Sequence, residues 1–261
     1  MANVHGVQRP MLLMNNISIE GILAAGIVLF FGMGWHEYAH AFVANWWGDP
    51  TPRQNGRLTP NPIVHINWVG WLMFLIIGFG ILGSVPVNPS KMRNPRWGSF
   101  WTSFAGPISN LIQAAFYALV TRLLLSGPGL TFLSNLGPDF LQSRFFDFFT
   151  LLLTYGVIFN VLLFVFNLLP LFPLDGWRMM LAVLPGRGMQ RKQIPSFLWQ
   201  NLRPIANFLY EPAFTWQAWA QVTQYAFFAL LMLSFAIPQL DVFGFLIGGP
   251  TFRISALLLG S

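Results

Sequence analysis

The sequence predicts an all-α polytopic membrane protein, a bundle of about four to six transmembrane helices with a short membrane-edge β-hairpin or re-entrant segment. Three observations predict it. Of 261 residues, 55% are hydrophobic and only 8% charged, with a mean hydropathy of +0.57, which excludes a soluble globule with a polar surface. Apolar runs long enough for ~30 Å of hydrocarbon recur along the chain, separated by Pro-, Gly- and Arg-bearing stretches. The first of these runs carries three ionisable groups, in Trp35-His36-Glu37-Tyr38-Ala39-His40.

The net charge of +6 reads as membrane topology and not as nucleic-acid binding, because the basic residues flank apolar spans and form no long cluster. With no cysteine in the chain, disulfides and thiolate ligands are excluded. A metal site must be built from the four histidines and eight carboxylates.

Taken in order, Met1 to Glu20 shows no basic leader with an apolar core and cleavage site, so the first apolar run is expected to be a retained helix. Residues 21–47 make about 40 Å of helix, with Trp46 and Trp47 suited to an interfacial belt. Gly48-Asp49-Pro50 stops it, and the Pro-, Asn- and Gly-rich stretch from Thr51 to Pro62 reads as extended strand and turn. Residues 66–85 are apolar but broken by Gly70, Gly78, Gly80 and Gly83, and could cross or re-enter; Pro86-Val87-Asn88-Pro89 closes them in an extended segment. Residues 97–125 form a spanning helix with Gly106-Pro107 as a kink, Ser103 and Asn110 on one face, and Arg122 able to snorkel. Ser126 to Phe146 reads as a loop on the membrane. Residues 148–169 span again, with Asn160 and Asn167 turned to the bundle interior. Prolines 170 and 173 break the helix before Asp175-Gly176. Residues 177–211 are a solvent-side segment, 213–237 a further span, and 241–260 a weak last span or interfacial helix.

Two histidines four apart share a helix face and can grip one metal ion, with the intervening glutamate beside them as a base for an activated water. Burying such groups in lipid costs about 2.5–3.5 kcal/mol for a central charge even on lenient insertion scales, so surface decoration explains them poorly. A catalytic zinc keeps three protein ligands. His5 lies in a polar N-terminus, Glu20 and Asp241 at the ends of other spans, and Asp139, Asp147 and Glu211 in loops or span ends. Asp49 is about 13 Å along the helix axis from His40 and suits a turn before Pro50. Asp175 and His65 remain. Asp175 is favoured, because a proline-broken helix end lets a carboxylate reach inward and Gly176 permits close backbone approach; His65 borders an apolar run and could serve the substrate site.

If residues 66–85 crossed fully, His40 and Asp175 would approach the metal from opposite faces; re-entry brings both helix ends to one face. It also gathers Arg53, Arg57, Lys91, Arg93, Arg96, Arg178, Arg187, Arg191, Lys192 and Arg203 on that face, with Arg9, Arg122 and Arg144 opposite. The metal-side face is therefore expected to be cytoplasmic.

With these residues in view, the chain resembles the site-2 protease family of intramembrane zinc metalloproteases. The resemblance rests on His36-Glu37-Tyr38-Ala39-His40, Ala105-Gly106-Pro107-Ile108-Ser109-Asn110, and Asn167-Leu168-Leu169-Pro170 leading to Leu174-Asp175-Gly176, in the family's order over roughly residues 20–180. Gly56 to Pro62, His65 and Pro86-Val87-Asn88-Pro89 resemble the compact prokaryotic branch without PDZ or CBS domains. One departure is His65-Ile66-Asn67-Trp68, where relatives often carry aspartate and proline after the histidine.

The resemblance implies one zinc ion bound by His36, His40 and Asp175, with Glu37 as catalytic base. It implies Asn167, Asn110 and His65 as substrate-binding or site-supporting residues, and an extended segment that pairs with unwound substrate as an added strand. Residues 1–261 are then a single membrane-embedded protease domain, its catalytic core at about 20–180 and its C-terminal helices at about 181–261. The expected substrates are single-span membrane proteins cut in a prokaryotic inner membrane. A catalytically idle adaptor that retains client helices is the alternative. A metal transporter would need polar ligands strung across the bilayer, whereas the ionisable groups here gather at one point.

Overall fold

A computed structural model describes residues 18–77, 80, 82–184, 216–236, 242 and 244–260. The described chain is almost wholly helical. Helix α1 (Ile19–Trp46) begins at Ser18, whose side chain accepts from the Gly21 amide. Its 28 residues extend about 42 Å, longer than the hydrocarbon core. Helices α1, α4 (Pro95–Leu124) and α7 (Arg144–Asn167) are long and apolar enough to cross a membrane, and they pack against one another.

Between α1 and α4 the expected β-hairpin does not form. The start of the stretch is a short helix, α2 (Thr51–Gln54), and Pro62–His65 is a 3-10 turn. The physical reason is local: Pro50 has φ −78°, already close to helical, and the buried Asp49 carboxylate accepts the Thr51 amide at 3.0 Å, starting a helical turn. Gly56, at φ +66°, ends it in a conformation that side chains resist. The described β pairing is one isolated antiparallel bridge, between Ile66 and Gly83.

That bridge settles the path of residues 66–85. The Asn67 amide also donates to Leu82 O at 3.0 Å, so the two ends of the segment meet. Helix α3 (Trp68–Ile77) between them has 10 residues, about 15 Å, half of what a crossing needs. The segment folds back on itself, the path that re-entry requires. Its exit is held to the end of α1 by the second Asp49 oxygen, which accepts the Asn88 amide at 2.6 Å, and by Arg93, whose amide donates to Trp47 O at 2.9 Å.

Residues 126–146 are not a plain loop either. They form α5 (Gly127–Asn135) and α6 (Pro138–Leu141), because the Gly-Pro pairs stand at helix starts, where proline's missing N–H has no partner to lose. Helix α7 then returns, with Arg144 ion-paired to Glu20 at 3.1 Å, so α1 and α7 begin at one end of the bundle. Helix α8 (Asp175–Val183) packs on α4, its final carbonyls held by the Arg96 guanidinium, including Val183 O at 2.8 Å.

Helix α9 (Trp216–Ala236) falls within the span expected at 213–237, while the expectation for residues 185–215 lies outside the described residues. The expected tail is a π turn (Gly244–Gly248) running into α10 (Gly249–Leu259), docked on α4 and α7. Ile247 joins Ala114 and Ala118 of α4 and Val157, Val161 and Val165 of α7 in the core. Small alanines let α7 approach closely, as apolar packing within lipid requires. Arg122, expected to snorkel, donates to Leu257 O at 3.1 Å and so caps α10.

Candidate metal centre

Helical spacing brings His36 and His40 to one face of α1, and the turn after α7 delivers Asp175 at the first position of α8. The three ligand atoms form a nearly equilateral triangle. His36 Nε2 lies 3.0 Å from His40 Nε2, and Asp175 Oδ2 lies 3.1 Å from the first and 3.3 Å from the second. Ligands about 2.0 Å from a tetrahedral ion are separated by about 3.3 Å, so a zinc ion fits above this triangle.

The hydrogen-bond pattern suits a cation there. His40 Nδ1–H donates to the Thr102 carbonyl at 2.6 Å, which can only accept. His36 Nδ1 faces Asn110 Oδ1 at 2.6 Å, while Asn110 Nδ2 donates to Gly32 O at 3.1 Å and to Asn160 Oδ1 at 2.9 Å. Asn110 therefore presents its oxygen, and His36 too carries its proton on Nδ1. Both Nε2 lone pairs then converge on a carboxylate oxygen that is itself buried without a hydrogen bond. Three electron-rich atoms in van der Waals contact repel one another unless a metal ion, or a proton shared between an imidazole and the carboxylate, lies among them.

Close backbone approach makes this possible. A Cβ on Gly106 of α4 would overlap His40 Nε2 and stand 2.6 Å from His36 Nε2. At Gly176 a Cβ would overlap the carbonyl oxygens of Leu168 and Leu169, so glycine lets α8 tuck under the end of α7. Pro107 sits one residue beyond Gly106 inside α4; without an amide proton it leaves the Ser103 carbonyl outside the helical ladder.

Glu37 is buried at 5% exposure and borders the same cavity, about 280 Å³, as the two histidines and Asp175. Gly83, at the bridge closing the re-entrant segment, is the residue against which it lies, for a Cβ there would be 2.8 Å from Glu37 Cγ. Asn167 also borders the cavity, its amide donating to Leu163 O at 3.0 Å within α7. Asn110 touches the site directly through His36. His65 does not join the triangle. Its Nε2–H donates to Thr59 O at 2.9 Å, its Nδ1 is buried without a partner, and it shares a separate small cavity with Glu37, Pro62 and Gly83. Burial holds the His65 imidazole below the ordinary histidine pKa.

Sequence reasoning missed Thr102, which acts through a backbone carbonyl and has no side-chain signature. It also missed Arg178, which borders the cavity three residues after Asp175; i,i+3 spacing from the favoured ligand was the available signal.

No protein-family model matches the chain, and no solved structure matches it. Over 169 residues the chain is 38% identical to YwhC of Bacillus subtilis (strain 168), provisionally named a zinc metalloprotease, an alignment covering 65% of this chain and 72% of that protein. That likeness and a His-His-Asp group able to hold zinc place the chain in the site-2 protease-like family of zinc metalloproteases.

Proposed function

We propose that the protein cleaves peptide bonds of single-span membrane proteins within the bilayer, in a prokaryotic inner membrane, with its metal centre nearer the cytoplasmic face. The observation that carries this reading is a metal triangle and a buried glutamate at one cavity, reached from three helices apolar enough to cross a membrane. Zinc held by His36, His40 and Asp175 supplies Lewis acidity. Glu37 takes a proton from the attacking water and returns it to the departing amine. The backbone at residues 84–88, outside helix and strand and with Ser84, Val85 and Val87 at the cavity, would offer amides and carbonyls to an unwound substrate strand. Asn167 stands where it can bind substrate backbone.

The test separates metal from chemistry. In purified protein, Glu37→Gln is expected to keep zinc and lose cleavage of a transmembrane peptide by at least about a hundredfold, the lower range for a general base. Asp175→Asn is expected to weaken zinc itself, read by chelator competition. Undiminished proteolysis by Glu37→Gln would remove this reading.

A further inference from the structure

Hydrogen-bond polarity at the metal centre is set on a helix that contributes no ligand to it. We propose that Asn160 of α7 is a positioning residue which, through Asn110, keeps the proton of His36 off its metal-binding nitrogen. The inference rests on the zinc assignment and not on the peptide-cleavage reading.

The argument runs inward from a group whose role cannot change. Gly156 O is a backbone carbonyl and only accepts, so Asn160 must turn its Nδ2 towards it, at 2.8 Å. Asn160 therefore presents Oδ1 to α4, where it accepts from Asn110 Nδ2 at 2.9 Å. The other Asn110 amide proton goes to Gly32 O at 3.1 Å. With both protons committed, Asn110 can offer only its oxygen to His36 Nδ1, 2.6 Å away. A neutral His36 is then the Nδ1–H tautomer with its lone pair on Nε2. Asn110 and Asn160 are both fully buried, so bulk water cannot substitute for either. Gly32 is the reason α1 can take part, since a Cβ there would stand 3.1 Å from Asn160 Oδ1.

Removing Asn160 Oδ1 leaves Gly32 O as the one described restraint on the Asn110 amide. Rotation of that amide would then present Nδ2 to His36 Nδ1 and drive the imidazole proton onto Nε2, where zinc must displace it. A substitution that keeps an acceptor should not do this: a protonated aspartic acid at 160 reproduces both bonds, and an ionised one still accepts from Asn110.

The experiment uses the full chain in detergent, stripped of metal, with 15N-labelled histidine. The tautomer of His36 is read by NMR, its signal assigned by loss in His36→Gln, and zinc affinity by competition with a chromophoric chelator. Expected are an Nδ1–H tautomer in the wild type and in Asn160→Asp. In Asn160→Leu, Nε2–H should emerge and zinc affinity should fall about tenfold, the lower range for partners behind a ligand. Val161→Ala, a neighbouring core truncation on the same helix, should change neither. An Nε2–H tautomer in the metal-free wild type overturns the proposal, as does unaltered zinc affinity in Asn160→Leu or an equal loss in Val161→Ala. Should Asn160→Leu not fold, the wild-type and Asn160→Asp tautomers decide alone. A wild type that binds no zinc overturns this inference and the metal assignment together; a zinc-loaded but proteolytically inert wild type overturns only the proposed function.

Discussion

Two glycines allow the metal ligands and the proposed base to be perturbed separately. At Gly106 an added methyl would overlap His40 Nε2 and stand 2.6 Å from His36 Nε2, displacing two of the three ligand atoms. Gly106→Ala is expected to weaken zinc by at least about tenfold, measured by chelator competition. At Gly83 the methyl would instead meet Glu37 Cγ at 2.8 Å and Oε1 at 3.0 Å. Gly83→Ala should leave zinc affinity within about twofold of wild type and reduce turnover, since a misplaced base loses rate without loss of metal. Loss of zinc in Gly83→Ala would show that the two glycines act on one structure. At this scale His36, Glu37 and His40 were legible because their spacing is a covalent fact that any helix turns into a shared face. The Thr102 carbonyl was not, because every residue carries one and only packing selects which is used.

Elements between α1 and α4 show local chemistry overriding a compositional reading. The Pro-, Asn- and Gly-rich composition of Thr51 to Pro62 suggested strand and turn, yet proline is equally suited to a first helical turn, and a buried acceptor at Asp49 tipped the balance. The same carboxylate ties the exit segment to α1 across 39 residues. Asp49→Ala is expected to cost about 1.5–3 kcal/mol, the range for hydrogen bonds to a charged group, read by thermal or denaturant unfolding in detergent. It should also raise KM more than it lowers kcat, because the untethered segment is the one proposed to meet substrate while Glu37 and the ligands stay on α1 and α8. Asp49 was read only as a turn-former, since a contact between residues 49 and 88 leaves no local pattern.

For the membrane bundle, pairing of Ile66 with Gly83 and of Glu20 with Arg144 sets the directions of α1, α4 and α7. Helices α1 and α7 run together and α4 runs against them, so His40 and Asp175 reach the metal from one face. The proposed orientation is open to direct measurement, because a chain without cysteine gives a clean labelling background. Ser90→Cys, beside the exit segment, should react with a membrane-impermeant thiol reagent only from the cytoplasmic side, and Ser134→Cys, on α5, only from the opposite side. Labelling of both positions from one side would overturn the topology. The sequence argument for re-entry came from the metal, since a single ion cannot draw ligands from opposite faces; the structure reaches the same path through backbone pairing.

The sequence alone determined the membrane environment, the three long apolar helices and the identity of the residues that gather at the metal. These depend on composition, on 3.6-residue periodicity and on the rarity of ionisable groups in lipid, all of which are local. Only tertiary structure decided the helical path after α1, the end-to-end closure of residues 66–85 and the hydrogen-bonded line from Gly156 through Asn160 and Asn110 to His36. Those features join residues far apart in the chain, and their polarity is set by which backbone carbonyls the packed helices bring within reach.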